Sequence, residues 1–307
     1  MGYSLGKNIL ATVTYYDVLD FPLTAFEVWK HLVAYDDAHG KLTEPVSLRE
    51  VRDFLAYGSL TAKVFERDGF YFLAGRGHLV RERIQSEKLS AAKLKRMKRL
   101  ARLIACVPYV RMLGATGSLS MKHGSLGSDW DMFVVLRSGK MWIGRTLLTV
   151  FLQLIGKRRH GRSVNNRACL NYFVTDDNLE IATKDLFSAN EYRFLIPLIS
   201  LSLFQKFEAR NIWIRRYKPQ FFLTTVPSLW LVQESVWALW VQTRLEYIFD
   251  LFYLERWLSS WQKRKIARNP KTGREGSLIE ATDRALIFLP EPRGPLVFEE
   301  FKERLGA

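Results

Sequence analysis

The sequence predicts an α+β protein built around a mixed sheet with flanking helices, and three observations carry that class. Short apolar strands alternate with helical segments between about residues 80 and 188. A two-strand hairpin signal closes the first 79 residues, and after Ser188 apolar residues recur at helical spacing to nearly the end. The 307 residues exceed the usual ~100–200 of one domain, so three regions are expected: 1–79, a core at 80–188, and a helical C-terminal region at 189–307.

Apolar residues recur at three- and four-residue spacing from Asn8 to Leu19 and from Thr24 to Val33, and Pro22 separates these two short helices. Ser47 is placed to cap a third helix, Leu48 to Tyr57. Lys63-Val-Phe-Glu-Arg67 and Phe70-Tyr-Phe-Leu73 then flank Asp68-Gly69, a pair suited to a tight hairpin turn in which both residues take a left-handed backbone. Three short helices closed by a hairpin is the order of a winged helix. That shape serves nucleic-acid binding or protein docking. The third helix mixes Arg49 and Arg52 with Glu50 and Asp53, which leaves both uses open.

A long helix follows from about 80 to 106, with Leu94, Met97, Leu100, Leu103 and Ile104 beside a basic run from Lys93 to Arg102. It reads as a solvated basic face over a buried apolar stripe. Strands are predicted at Tyr109 to Ala115, Met132 to Leu136 and Ala168 to Val174, with a helix from Trp142 to Ile155 between the last two. Ala189 to Phe207 predicts a helix, and about 228 to 267 a longer one that carries five of the nine tryptophans. A narrow polar stripe at Ser235, Gln242, Glu246 and Asp250 predicts that most of this helix is buried in the core. A dimer face and a membrane-surface helix are its other uses, because Lys263, Arg264, Lys265, Arg268 and Lys271 follow directly.

Forty-six Lys and Arg against 31 Asp and Glu leave a net charge of +15, which argues for a polyanionic partner or substrate. Each third of the chain nets +5, so no single basic arm holds the charge, and the local runs at 93–102, 157–162 and 263–271 are the places where nucleic acid would bind. Cys106 and Cys169 lie far apart in apolar surroundings, suit a reducing compartment and read as small core residues. Asp17 and Asp20 interrupt any secretory leader. The longest uncharged stretch, Pro219 to Gln233, is 15 residues, short of the roughly 18–20 that cross a bilayer. A cytoplasmic protein with no transmembrane segment is expected.

The chemistry concentrates in Gly117-Ser118, a Gly-rich loop, and Ser128-Asp129-Trp130-Asp131 opening the second strand. Residues i and i+2 of a strand face the same side, so Asp129 and Asp131 present two carboxylates together. Hard oxygen ligands so placed suit Mg²⁺ or Mn²⁺, with substrate phosphates completing the shell. Gly117 allows close backbone approach, and the Ser118 hydroxyl and following amides can hold terminal phosphates. Lys122, a helical turn on, and Ser128, just before the first aspartate, can add to these phosphate contacts.

At these residues the chain resembles the polymerase-β-like nucleotidyltransferase superfamily, whose hallmark is Gly-Ser, a short spacer, and Asp-x-Asp leading a hydrophobic strand. The ten residues between Ser118 and Asp129 fit that spacing, and the resemblance covers about residues 100 to 180. The whole chain looks like bacterial nucleotidyltransferase-domain proteins of unassigned substrate that add a winged-helix-like region and a helical C-terminus. The resemblance implies that Gly117 and Ser118 hold the triphosphate of an NTP and that Asp129 and Asp131 bind the metal. The implied reaction moves a nucleoside monophosphate to an acceptor hydroxyl of a small molecule, a protein or RNA.

One position departs from the pattern. Members of the superfamily usually carry a third carboxylate on a later strand, and here that position reads Asn171, whose amide cannot act as a base. Glu180, or Asp176 and Asp177 in the turn, could substitute. The departure motivates a second reading, a catalytically weakened nucleotide-binding or nucleic-acid-binding regulatory protein on the same fold. In a third, Asp129-Trp-Asp131 is the metal motif of a sugar-nucleotide glycosyltransferase, where the upstream Gly-Ser has no role. The five histidines form no zinc motif, and no nucleophile elbow, P-loop or dinucleotide loop is present.

Overall fold

The structure is a computed structural model that describes residues 2–35, 46–58, 60, 62–161, 164–270 and 272–306. Arg162 and Lys271, members of two of the basic runs, lie outside the described residues. The chain opens with α1 (Gly2–Val18), β1 (Leu23–Thr24), α2 (Ala25–Lys30), α3 (Leu48–Tyr57), β2 (Val64–Arg67) and β3 (Phe70–Leu73). Thr24 with Glu27 and Ser47 with Glu50 form capping boxes at the starts of α2 and α3, satisfying amides that the first helical turn leaves free. Asp68 and Gly69 have φ of 54° and 79°, so the turn that joins β2 to β3 has the left-handed backbone its sequence suits. The three strands form an antiparallel sheet in the order β1-β3-β2.

After α4 (Leu79–Ile104) come β4 (Val110–Ala115), the short α5 (Gly117–Ser120), β5 (Trp130–Leu136), α6 (Met141–Leu154) and β6 (Ala168–Thr175). They are followed by α7 (Leu186–Arg193), β7 (Ile196–Ile199), α8 (Leu201–Arg210), α9 (Val236–Asp250) and α10 (Leu254–Ala267). The hairpin β8 (Leu278–Ala281) and β9 (Ala285–Leu289) and the helix α11 (Gly294–Leu305) complete the chain. Among the described residues the central sheet has six strands in the order β7-β4-β5-β6-β9-β8. Only β5 and β6 pair in parallel, and the crossover they require is α6. Met132 through Leu136 are all fully buried, which is why this strand reads as an unbroken apolar run rather than an alternating one.

Three expectations for the second half of the chain are corrected. The helix predicted over Ala189 to Phe207 is split into α7, β7 and α8. Pro197 lacks an amide hydrogen and cannot continue a helix, and it sits in an edge strand, opposite Gly114 of β4. The region 189–307, expected to be helical, supplies β7, β8 and β9, three of the six strands. The long helix predicted over 228 to 267 is α9 and α10, broken where Tyr253 takes φ 48°, ψ 31°, and residues 228–235 are not helical.

The orientation of α9 is also the reverse of the one expected. Ala238, Gln242 and Glu246 are its buried residues, whereas Trp237 and Trp240 are exposed. The cause is an unmet hydrogen-bonding demand at the start of β4. Gln242 donates Nε2 to the carbonyls of Val107 and Val110 at 2.9 and 2.8 Å, and Glu246 accepts the Tyr109 amide at 2.7 Å. Leaving such backbone groups buried and unpaired would cost about 1–3 kcal/mol each, and the polar stripe of α9 satisfies three of them at once.

The N-terminal core holds Tyr15, Tyr16, Phe21 and Val51 and is completed by Val297 and Phe301 of α11. His31 is buried there, with its ring stacked on Phe194 at 4.3 Å. Burial, reinforced by Arg193, Lys218, Lys30 and Arg83, holds its pKa well below the ordinary 6.5. A base depressed in this way is neutral when folded. Its contribution is therefore complete above the unfolded value and is lost as pH falls below it, by up to about 1.4 kcal/mol per pH unit. Urea midpoints of the wild type are expected to fall between about pH 7.5 and pH 5 by more than those of His31→Phe, which keeps the stack. An equal fall in both would show that His31 does not titrate with folding.

Candidate functional site

β4 and β5 pair antiparallel with Ala115 opposite Met132, so the loop between them leaves and re-enters the sheet at the same end. Gly117 and Ser118 lie at one end of that loop, and Ser128 and Asp129 at the other. Thr116 donates its amide to the Asp131 carbonyl at 3.1 Å, which pins the Gly-Ser turn against the strand. Gly117 has φ 67°, and a Cβ there would stand 2.6 Å from Oδ2 of Asp131. Glycine meets two requirements at this position, a left-handed backbone and close approach to a carboxylate.

β6 runs parallel to β5 with Cys169 opposite Asp131. One oxygen of Asp129, one of Asp131 and Cys169 Sγ lie within 4.8 Å of one another. Arg159 pairs with Asp129 and lies 3.5 Å from Cys169 Sγ. Asn171, two residues along the same face of β6, donates Nδ2 to Asp131 Oδ1 at 3.5 Å. Glu191 of α7 accepts the Gly117 amide at 2.7 Å.

The charges of this cluster shape one another. Burial, then the Asp129 carboxylate, push Asp131 up to about 6, while Arg159, Cys169 and Asn171 pull the other way. Burial, then Asp131, push Glu191 up to about 7 against the Gly117 amide and Arg293. Burial, then Asp131 and Asp129, push the Cys169 thiol up to about 12, so at neutral pH it is uncharged. Asp129 and Asp131 thus meet beside one guanidinium, with Glu191 on the Gly117 amide and raised in part by Asp131, a negative cluster that a bound cation would relieve. The donors are hard oxygens with a neutral thiol beside them, a set that fits Mg²⁺ or Mn²⁺ better than a thiolate-seeking metal.

The other expected residues are placed as follows. Ser128 does not stand free for phosphate, because its carbonyl and hydroxyl accept Lys93 Nζ at 2.7 and 3.0 Å. Lys93 is therefore buried rather than part of a solvated basic face, and burial lowers its pKa against the pull of Asp129. It holds the glycine-rich loop to α4. Lys122 pairs with Glu87 of α4 at 2.7 Å. Glu180 is exposed, pairs with Lys184 and lies beyond the opposite end of β6 from Cys169. Asp176 and Asp177 occupy that same far end, where they accept hydrogen bonds from Ser138 and Thr175. None of these three acids replaces the carboxylate expected at Asn171.

Glu191, Arg159 and Cys169 were not singled out as site residues from sequence. Cys169 reads as a small core residue but lines the site. Arg159 belongs to the basic run at 157–162, whose start hydrogen-bonds along β6, with the Arg159 amide on Ala168 and the Ala168 amide on Lys157. Glu191 sits in a helical stretch with no motif around it, and its one local signal is an acid set beside Asn190 and Tyr192, both buried. No protein-family profile, curated protein or solved structure matches the chain.

Proposed function

We propose that the chain is a metal-dependent nucleotidyltransferase that moves a nucleoside monophosphate from an NTP to an acceptor hydroxyl and releases pyrophosphate. The observation that carries this reading is the packing of the Gly117-Ser118 turn directly against Asp131, which sets the turn that the reading takes as a phosphate cradle beside the carboxylate pair. The reading takes the central sheet as a polymerase-β-like core. It takes α1 to α3 with the β2–β3 hairpin as a winged-helix-like module.

Asp129 and Asp131 are the residues that would hold Mg²⁺ or Mn²⁺, whose chemistry is to neutralise the triphosphate and polarise its transferring phosphorus. Ser118 holds the terminal phosphates through its hydroxyl and the amides that follow, while Gly117, whose own amide is given to Glu191, lets the turn approach closely. Asn171 orients Asp131 through their hydrogen bond. Glu191 supplies the third carboxylate and takes the proton of the acceptor hydroxyl, a role an amide cannot fill. The acceptor is a small molecule, a protein side chain or an RNA end, and the +15 net charge favours a polyanion. A second reading, nucleotide binding without turnover, draws on Asn171 beside Asp131 where the superfamily pattern has a carboxylate.

The test offers each of four labelled NTPs with Mg²⁺ or Mn²⁺ to RNA, protein and small-molecule acceptors. Label transfer supports the first reading, NTP binding without transfer supports the second, and neither result leaves both without basis. Glu191→Gln keeps an acceptor for the Gly117 amide but removes the base. It is expected to lower kcat about a hundredfold with little change in KM. A wild-type rate would remove Glu191 from the mechanism.

A further inference from the structure

We infer that the outward face of α9 and α10 seats on the surface of an anionic lipid bilayer, lying in the headgroup plane rather than crossing it. This goes beyond the nucleotidyltransferase reading and does not depend on it. Trp237, Trp240, Tyr247, Phe252 and Trp257 are each between 55% and 73% exposed, and Tyr253 at the break between the helices is 88% exposed. Aliphatic side chains at Val236, Leu239, Ile248 and Leu251 are exposed among them. A monomer rarely presents so large an apolar surface without a partner.

The charges between Val236 and Arg268 are sorted by side. The segment has three acids, and all of them turn to the protein. Glu246 binds Arg111, Asp250 binds Lys140 and Tyr109, and Glu255 accepts the amides of Trp142 and Ile143 at the start of α6. Arg244, Arg256, Arg264, Lys265 and Arg268 are exposed. Two of these cations lie over outward tryptophans, Arg244 at 5.8 Å from Trp240 and Lys265 at 5.3 Å from Trp261. Within residues 236–268 the outward side chains are thus aromatic, aliphatic and basic, with no acid among them.

That composition separates the occupants. In a symmetric dimer the patch would meet itself, setting Arg256, Arg264 and Lys265 near their own copies with no acid to answer them. A nucleic-acid strand would use the cations and aromatic rings but gain nothing from the aliphatic side chains between them. A bilayer surface uses all three classes: aliphatic groups at the acyl boundary, Trp and Tyr at headgroup depth, and Lys and Arg on lipid phosphates. Among the described residues no helix is long and apolar enough to cross a membrane, as an interfacial seat requires.

The experiment floats the full chain with vesicles of phosphatidylcholine alone and with vesicles in which a third of the lipid is phosphatidylglycerol, at physiological salt. The protein is expected to rise with the anionic vesicles, about tenfold or more tightly than with neutral ones, and brominated acyl chains are expected to quench its tryptophan fluorescence. Substituting Trp237, Trp240, Trp257 and Trp261 together by Ala is expected to abolish binding. Arg256→Glu, Arg264→Glu and Lys265→Glu together are expected to remove the anionic preference. Both sets are on the surface, so circular dichroism should be unchanged. The proposal is overturned if the wild type stays with the unbound fraction. It is equally overturned if, without vesicle binding, the tryptophan variant converts a wild-type dimer to monomer or abolishes binding to RNA.

Discussion

Asp131→Asn is expected to reduce label transfer about a thousandfold or more, the scale on which a charge held for a transition state contributes. The substitution is isosteric and touches none of the backbone pairing that builds the site, including the Thr116 amide on the Asp131 carbonyl. It removes half of the carboxylate pair that faces the phosphate turn. Folding should not suffer. Asp131 is a carboxyl pushed up to about 6 by burial and by Asp129, so neutralising it relieves an unfavourable charge and should leave stability equal or higher. Loss of transfer together with an unchanged or raised urea midpoint would separate a chemical role from a structural one. Transfer retained within about tenfold of wild type would remove Asp131 from the chemistry.

Glu246→Ala is expected to cost about 3 kcal/mol in urea unfolding, the largest stability effect proposed for a single side chain of this protein. Its carboxylate accepts both terminal nitrogens of Arg111 at 2.8 Å and the Tyr109 amide at 2.7 Å. Truncation strands the Arg111 guanidinium and the buried Tyr109 amide beneath α9. Glu246→Gln keeps an acceptor for the amide while losing the two-point ion pair, and should fall between wild type and Ala. A cost below about 1 kcal/mol for Ala would mean that α9 is held by its apolar contacts instead.

The parts of the fold that were legible in the sequence rest on local physics. The β2–β3 hairpin follows from Asp68-Gly69, because the turn needs left-handed residues. The N-cap at Ser47, the apolar run of β5 and the amphipathic stripe of α4 each depend on residues a few positions apart. Half of the candidate site was legible on the same basis. Gly117, Ser118, Asp129 and Asp131 lie within one strand-loop-strand passage, where strand alternation alone puts the two carboxylates on one side.

The other half came from distant segments. Glu191 reaches the Gly117 amide across 74 residues, and Arg159 reaches Asp129 across 30. Neither has a local pattern that marks it. α9 is the sharpest case, because its periodicity was readable while its orientation was not. An aromatic face with a polar stripe is ordinarily packed with the aromatics inward, and the opposite holds here because Gln242 meets the Val107 carbonyl 135 residues away. The sequence alone determined an α+β chain with a basic surplus and a clustered pair of carboxylates, since helical and strand periods and turn chemistry act over short spans. Only the tertiary structure decided which acids join that pair and which side of α9 faces out, because a buried polar group goes wherever a distant segment leaves a donor or acceptor unpaired.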